Sequence, residues 1–458
     1  MTRAHLRRAV AEPLAANPFL LTLLVLTVIT VSRVHSYVGI LRVTRPALLL
    51  VLAAGLIAIA RPELLSIRNA MRTFIGPVFI GLAIVACLSV PFGISMGRAG
   101  RFLIEDYWKT LLFAWLLLVG VRHGADLFRL VWAYVIATGV LAFLSLFVFE
   151  ISKSSGGYGY DANDIGLVMI TGMPLALLTL QASRTARGRV ASMAVFLLAV
   201  ATIAASESRG AFVALLVTGA GLLVLVRTVP AGRRILILTA VAGALAIAAP
   251  PGYWDLMGTL QQPTDDYNWT EENGRRELLG RGVEYMIEYP AFGVGINNFP
   301  LAEGTISSKA RNQVRGRGIR WTAAHNSYIQ AGAELGVPGL LLWLTLVFGS
   351  MGAVARRSRR LPRVWVSGTD EERALLLIGT YLPVALLGFA AASFFVSFAY
   401  LEPIYILGAM AAAFLFVSDD ALRRAPAPFA AAAQRRGAGW RPAAGGGMRP
   451  GVVAGRRP

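Results

Sequence analysis

Three short polar stretches, each bordered by long apolar runs, hold the side chains of this 458-residue chain best suited to chemistry. The first is Ser206-Glu207-Ser208-Arg209-Gly210, a very short connection between two apolar runs. An arginine fixed there cannot leave the surface, and its planar fork of donors suits phosphate. The plainer account is an arginine snorkelling from a helix end. The second runs from Asn273-Gly274-Arg275-Arg276 to Gly293-Val294-Gly295-Ile296-Asn297-Asn298-Phe299. Gly293 and Gly295 allow a tight turn with close backbone approach, although no dinucleotide-binding fingerprint follows. Arg275 and Arg276 are two more candidate phosphate ligands, or else solvated loop charges.

The third stretch is Ala324-His325-Asn326-Ser327-Tyr328. Of the four histidines, His5, His35, His123 and His325, only His325 borders the chain's long polar loop. An imidazole can accept a proton near neutral pH, the role of a general base. The competing account is a helix start, since Asn326 and Ser327 are good N-cap types. Glu334 follows nine residues later. Nine steps of about 100° put it on the helix face opposite His325, so it cannot directly orient that imidazole. A carboxylate inside an apolar run is nevertheless a functional candidate. Gly332 and Gly336 form a small-xxx-small pair for close helix packing.

Other chemistries are poorly supported. No His pair stands at i, i+4 and Asp265-Asp266 is merely adjacent, so a mechanism without metal or cofactor is expected. The single cysteine, Cys87, lies in an apolar run and excludes an internal disulfide framework.

The elements that must position these residues are membrane helices. The hydrophobic class is 56% of the chain and charged residues 15%, against about 25% charged in soluble domains. Apolar runs recur at 17–32, 46–60, 74–90, 107–121, 127–149, 164–181, 190–205, 210–226, 235–250, 327–353, 374–398 and 403–418. Their continuity disfavours a β-barrel. The expected fold is all-α, a polytopic bundle of about 12 transmembrane helices with one large extracytoplasmic loop between the ninth and tenth. Its divisions are a cytoplasmic segment 1–16, helices one to nine over 17–250, the loop 251–325, helices ten to twelve over 326–418, and a disordered basic cytoplasmic tail 419–458. Within the loop, Glu277 to Tyr289 reads as an amphipathic helix ended by Pro290.

The formal net charge is +19. A basic balance can signal nucleic acid, but these arginines lie between apolar runs, where they report topology and lipid contact. With both termini cytoplasmic, 28 Lys and Arg fall inside and 16 outside, eight of the 16 in the one long loop. Long loops are discounted, which favours this orientation.

Together the three stretches resemble the O-antigen ligase/polymerase family of bacterial membrane glycosyl-transfer proteins. The resemblance rests on Ser208-Arg209-Gly210-Ala211-Phe212, on Gly293 through Phe299, and on His325-Asn326-Ser327-Tyr328 through Glu334-Leu335-Gly336. Asp161-Ala162-Asn163-Asp164 looks like the family's Asp-Pro-Asn element with alanine in the proline place. The similarity covers roughly 160–350. It implies a multi-pass protein of the bacterial inner membrane that transfers a glycan from an undecaprenyl-diphosphate carrier to a glycan, lipid or other surface acceptor. It further implies catalytic parts for His325, Arg209 and Arg275, and substrate contacts from Arg276, Asn326, Tyr328, Glu334, Asn163, Gly293 and Gly295. The family's loop often carries a tryptophan four residues after the matching arginine. Leu279 stands there in this chain, which leaves Arg275 and Arg276 both open.

Within this class, ligase and polymerase remain undivided by sequence. From another class, a lipid-linked glycan transporter or flippase also fits a dozen spans, although transporters tend to hold their charged sites near the midplane. A non-catalytic scaffold is disfavoured by three separate elements facing one side.

Overall fold

The computed structural model describes residues 17–149, 159–226, 228–261, 274–311 and 321–424. The segment 1–16, Trp269 and the tail from 425 onward lie outside them. Among the described residues the chain is helical and contains no strand. This follows from the apolar runs, since a backbone crossing lipid must satisfy its own hydrogen bonds.

Each apolar run forms a helix. In chain order these are α1 Pro18–Ser32, α2 Pro46–Ala60, α3 Ile75–Phe92, α4 Trp108–Gly120, α5 Gly124–Phe147, α6 Ala162–Ala182, α7 Ala186–Ala205, α8 Arg209–Leu225 and α9 Ala231–Ala248. The polar loop contributes α10 Arg275–Glu288. After it come α11 Ser327–Leu344, α12 Asp370–Ala392 and α13 Glu402–Arg424. Starts are capped by short polar side chains. Asn17 accepts from Leu20, Ser208 from Ala211, and Thr369 from Glu372.

Among the described residues, eight helices are long and apolar enough to cross a membrane. A ninth span is possible if α2 and the following 62–71, bent by 104°, act as one. Helix length therefore supports eight or nine spans where the sequence suggests twelve. The other three runs form α1, α4 and α8, of 15, 13 and 17 residues, α4 continuing directly from a helical π-turn at Leu103–Tyr107. At 1.5 Å per residue they reach roughly 20–26 Å, against a hydrocarbon core of about 30 Å.

Helices α6, α12 and α13 are buried nearly all round, whereas α9 is mostly exposed at the periphery. The centre of the bundle is α6, packed on α12, α7 and α5, with α8 against α12. Around it, α11 lies against α3 and carries α10 on its flank. Two ends are defined by contacts. At one, Arg72 pairs with Asp420 at 2.7 Å and Arg357 with Asp419 at 2.7 Å. At the other, where α13 begins, Arg33 approaches Glu402 at 3.5 Å. All three sequence-selected stretches lie at this second end.

Candidate functional site

The Arg209 turn is fixed by its neighbours. Ser208 caps α8, and its hydroxyl donates to Asn163 Oδ1 at 2.6 Å. Asn163 is itself held at the start of α6, where Asp161 accepts from the amides of Asn163 and Asp164 while Asp164 accepts from Asp161. The Asp-Ala-Asn-Asp element is thus a capping box whose asparagine braces the Arg209 turn. Arg209 is half-buried and its Nη1 donates to Thr259 Oγ1 at 2.9 Å. Next to it, a Cβ on Gly210 would come within 2.6 Å of Phe395.

Phe395 also meets the second stretch. The Arg275 guanidinium lies 5.7 Å from its ring centroid, within cation–π range. Arg275 is half-buried at the start of α10, whereas Arg276 is exposed. That orientation favours Arg275 of the two. Helix α10 is pinned by a buried pair, Arg281 Nε to Glu303 Oε2 at 2.9 Å, and Tyr285 donates to the same carboxylate at 2.8 Å. Burial drives the Tyr285 hydroxyl far above its usual range, and the adjacent Glu303 carboxylate adds to the effect. Gly332 faces Met286 of α10 and Gly336 faces Pro290 and Ala291. The small-residue pair therefore admits the loop, where the sequence suggests another membrane helix.

The third stretch rests on the same turn. His325 is half-buried with φ +46°, a left-handed conformation that histidine adopts more readily than most residues. Asn326 caps α11, accepting from Tyr328 and Ile329 at 2.9 and 3.1 Å. The Ser327 amide donates to Ser393 O, and its hydroxyl bridges Val396 O and Phe398 N. Gln330 accepts from Ala399 N, and Tyr328 donates to Ala390 O while packing on Trp343 and Phe394. The segment 393–399, between α12 and α13, is a common floor. It touches Gly210, Arg275 and the residues next to His325.

The glycine loop attaches to α11 through a break in that helix. Pro338 has no N–H, so the carbonyl of Glu334 is left over; it accepts from Gly295 N at 3.1 Å. Val337 turns its N–H to Pro290 O at 2.8 Å, which releases the Ala333 carbonyl to accept from Val294 N at 2.8 Å. The break runs through Gly336, at φ +70°, ψ −172°, a region almost exclusive to glycine. Gly293 and Gly295, at φ +66° and +96°, press against the Glu334 backbone and against Gly93. The buried Glu334 carboxylate accepts from Asn297 N at 2.9 Å and Phe299 N at 3.0 Å. From the other side, Ile94 N donates to Val294 O and Arg98 Nε to Asn297 O at 2.7 Å.

Of the ten sequence-selected residues, Arg275 meets the 393–399 floor directly, while Arg209 and His325 stand next to residues that do, Gly210 and Ser327. Arg276 points away from it into the open. Asn163, Asn326, Tyr328, Glu334, Gly293 and Gly295, selected as substrate contacts, each also hold a turn, backbone or helix start through protein neighbours. The segment 393–399 is not discernible in the sequence, where the apolar run continues through Phe398. The interruptions Ser393 and Ser397 are its only signal. Among the described residues, no three His, Cys, Asp or Glu side chains gather as a metal site.

No curated protein matches the chain. Residues 194–344 match the family model described as O-antigen ligase. That span takes in the Arg209 turn, α10, the glycine loop and the His325–Glu334 stretch. The match bears out the resemblance of these stretches to the O-antigen ligase/polymerase family.

Proposed function

We propose that this protein transfers a glycan from an undecaprenyl-diphosphate carrier to an acceptor hydroxyl at the outer face of the bacterial inner membrane. In this reading His325 takes the proton from the acceptor hydroxyl. The freed oxygen attacks the anomeric carbon opposite the leaving group and inverts it. The bond from that carbon to the diphosphate oxygen breaks, and the electron pair leaves with the diphosphate. Arg209 and Arg275 neutralise the charge that develops there, as preorganised donors do in other transferases. The proton on the imidazolium then passes to solvent or to the departing diphosphate. No metal or cofactor is required, and the polyprenyl chain lies against the apolar helices.

The observation that carries this reading is the 393–399 floor, to which Phe395 joins Arg275 and the neighbour of Arg209, and to which Ser327 joins the His325 turn. Arg275 on this floor, with Arg209 and His325 each next to a residue packed on it, supports a reading in which two guanidinium groups serve diphosphate departure and one base serves hydroxyl activation. The family match supports glycosyl transfer of the O-antigen ligase type.

The test is reconstitution of the purified protein in liposomes with undecaprenyl-diphosphate oligosaccharide, with and without EDTA, followed by mass analysis. Transfer insensitive to EDTA is expected. His325→Gly keeps the left-handed backbone and removes the imidazole. Loss of general-base catalysis costs about 10²–10⁴-fold in rate. A His325→Gly protein that transfers at the wild-type rate refutes the base assignment. An Arg209→Ala protein with unchanged donor affinity and turnover refutes the clamp. A product ladder of increasing chain length identifies a polymerase. Counterflow of labelled glycan without covalent change identifies a transporter instead.

A further inference from the structure

Beside the glycine loop, on the side away from α11, lies an open cleft of about 450 Å³. Its polar lining includes Arg98, Arg101, Glu105, Asp106, Asn297 and Trp321. Of these residues only Asn297 belongs to a stretch selected from the sequence, and the proposed mechanism uses none of them. The first four come from the helical stretch that follows α3, Met96–Phe102 continued by a wider π-turn at Leu103–Tyr107. Such π-turns occur often at functional sites.

Apart from one bond between Arg98 and Asn297, no side-chain hydrogen bond or ion pair joins these polar groups of the cleft among the described residues. Among the described residues no hydrogen bond or ion pair engages Arg101 or Glu105, although they stand four apart on one helical stretch. Arg98 uses Nε on Asn297 O. Asp106 has a 3.3 Å contact with Lys109, both partly solvated. Trp321 is half-exposed, and its indole is seated on Gly304, where a Cβ would come within 2.2 Å of Nε1. A cleft with carboxylates that only accept, guanidinium groups that only donate, and an apolar indole face suits a ligand rich in hydroxyls, which do both. The two carboxylates disfavour a bare phosphate, and so large a polar share disfavours a lipid chain.

We infer that this cleft is the acceptor subsite, binding the sugar end of the acceptor glycan. The inference rests on the proposed transfer reaction and gives it a direction. Trp321 precedes His325 by four residues, at most about 14 Å of extended chain. Asn297, in the cleft wall, is held by Glu334 of the helix that begins beside His325. A sugar in the cleft is therefore within oligosaccharide reach of the imidazole. Arg275 meets the 393–399 floor and Arg209 stands next to Gly210, which packs on it, leaving the donor a separate approach.

The test uses the full-length protein in liposomes, with undecaprenyl-diphosphate oligosaccharide as donor and the glycolipid fraction of the cell's own envelope as acceptor, each titrated against the other. Trp321→Ala and Glu105→Gln should each raise the acceptor half-saturation by about tenfold, the loss of one good contact. Donor half-saturation and maximal rate should stay within twofold, and Trp321→Phe should recover most of the loss. Gly304→Ala, which displaces the indole, should behave like Trp321→Ala. Trp321 and Glu105 are exposed, so unchanged melting temperatures are expected to accompany these shifts. Variants that match wild type at all acceptor concentrations, or that shift only the donor curve, overturn the subsite and leave the transfer reading intact. A wild-type protein that makes no covalent product overturns both.

Discussion

Glu334→Gln gives a sharp test of how the glycine loop is held. In the structure each oxygen of this buried carboxylate takes one backbone N–H, Oε2 from Asn297 at 2.9 Å and Oε1 from Phe299 at 3.0 Å. Glutamine keeps the shape but replaces one oxygen with NH₂, a donor facing a donor. One amide then loses its partner while buried, at a cost of about 1–3 kcal/mol. At about 1.4 kcal/mol per factor of ten, that opens the local structure roughly 5- to 150-fold more often. Hydrogen exchange read by mass spectrometry, with fragmentation to single amides, measures this directly. One or both of the Asn297 and Phe299 amides should exchange faster by that factor. Those of Val294 and Gly295 are held by the main-chain carbonyls of Ala333 and Glu334 and should change far less. Unaltered exchange at Asn297 and Phe299 would show that the carboxylate does not anchor the loop. Uniform acceleration across 293–299 would show that the main-chain bonds are not an independent attachment.

Three further outcomes are expected. Arg275→Ala should lower glycan transfer by about 10²–10³-fold, the usual worth of a preorganised donor, while exposed Arg276→Ala stays within threefold of wild type in the same assay. Glu303→Ala strips the partner from buried Arg281 and should cost about 3–5 kcal/mol locally, visible as early proteolysis of α10, with Arg281→Met in the same chain recovering part of it. Gly210→Ala pushes a methyl into Phe395 and should reduce transfer, whereas Gly210→Ala with Phe395→Leu should recover it, measured as initial rate in liposomes.

The helices were legible because lipid leaves an apolar run no other structure, and the cap Asn326 was legible by residue type. Span number turns on α1, α4 and α8, whose 13 to 17 residues read as spans in the sequence but fall below the length of a full crossing taken alone. The three stretches could be picked from arginine and histidine placed between apolar runs, but their meeting point could not. Phe395 is chemically silent in a run of Phe, Val, Ser and Ala, and only its position between Gly210 and Arg275 gives it a part. The Glu334 carboxylate serves the glycine loop, which its place in an apolar run does not reveal. Its engagement of Asn297 and Phe299 crosses 37 and 35 residues of chain, beyond any local pattern. The cleft around Arg98 and Trp321 joins residues still further apart.

The seam between the glycine loop and α11 is specified largely by missing atoms: a proline without N–H, and glycines without Cβ at 293, 295 and 336. Exchange of Val294 or Ile296 for another apolar residue leaves the main-chain bonds of this seam available. A single residue inserted between Pro290 and Gly295 does the opposite, since it throws the pairings of Val337, Val294 and Gly295 out of phase together. The chain should therefore tolerate altered side chains along this seam far better than an altered count of residues.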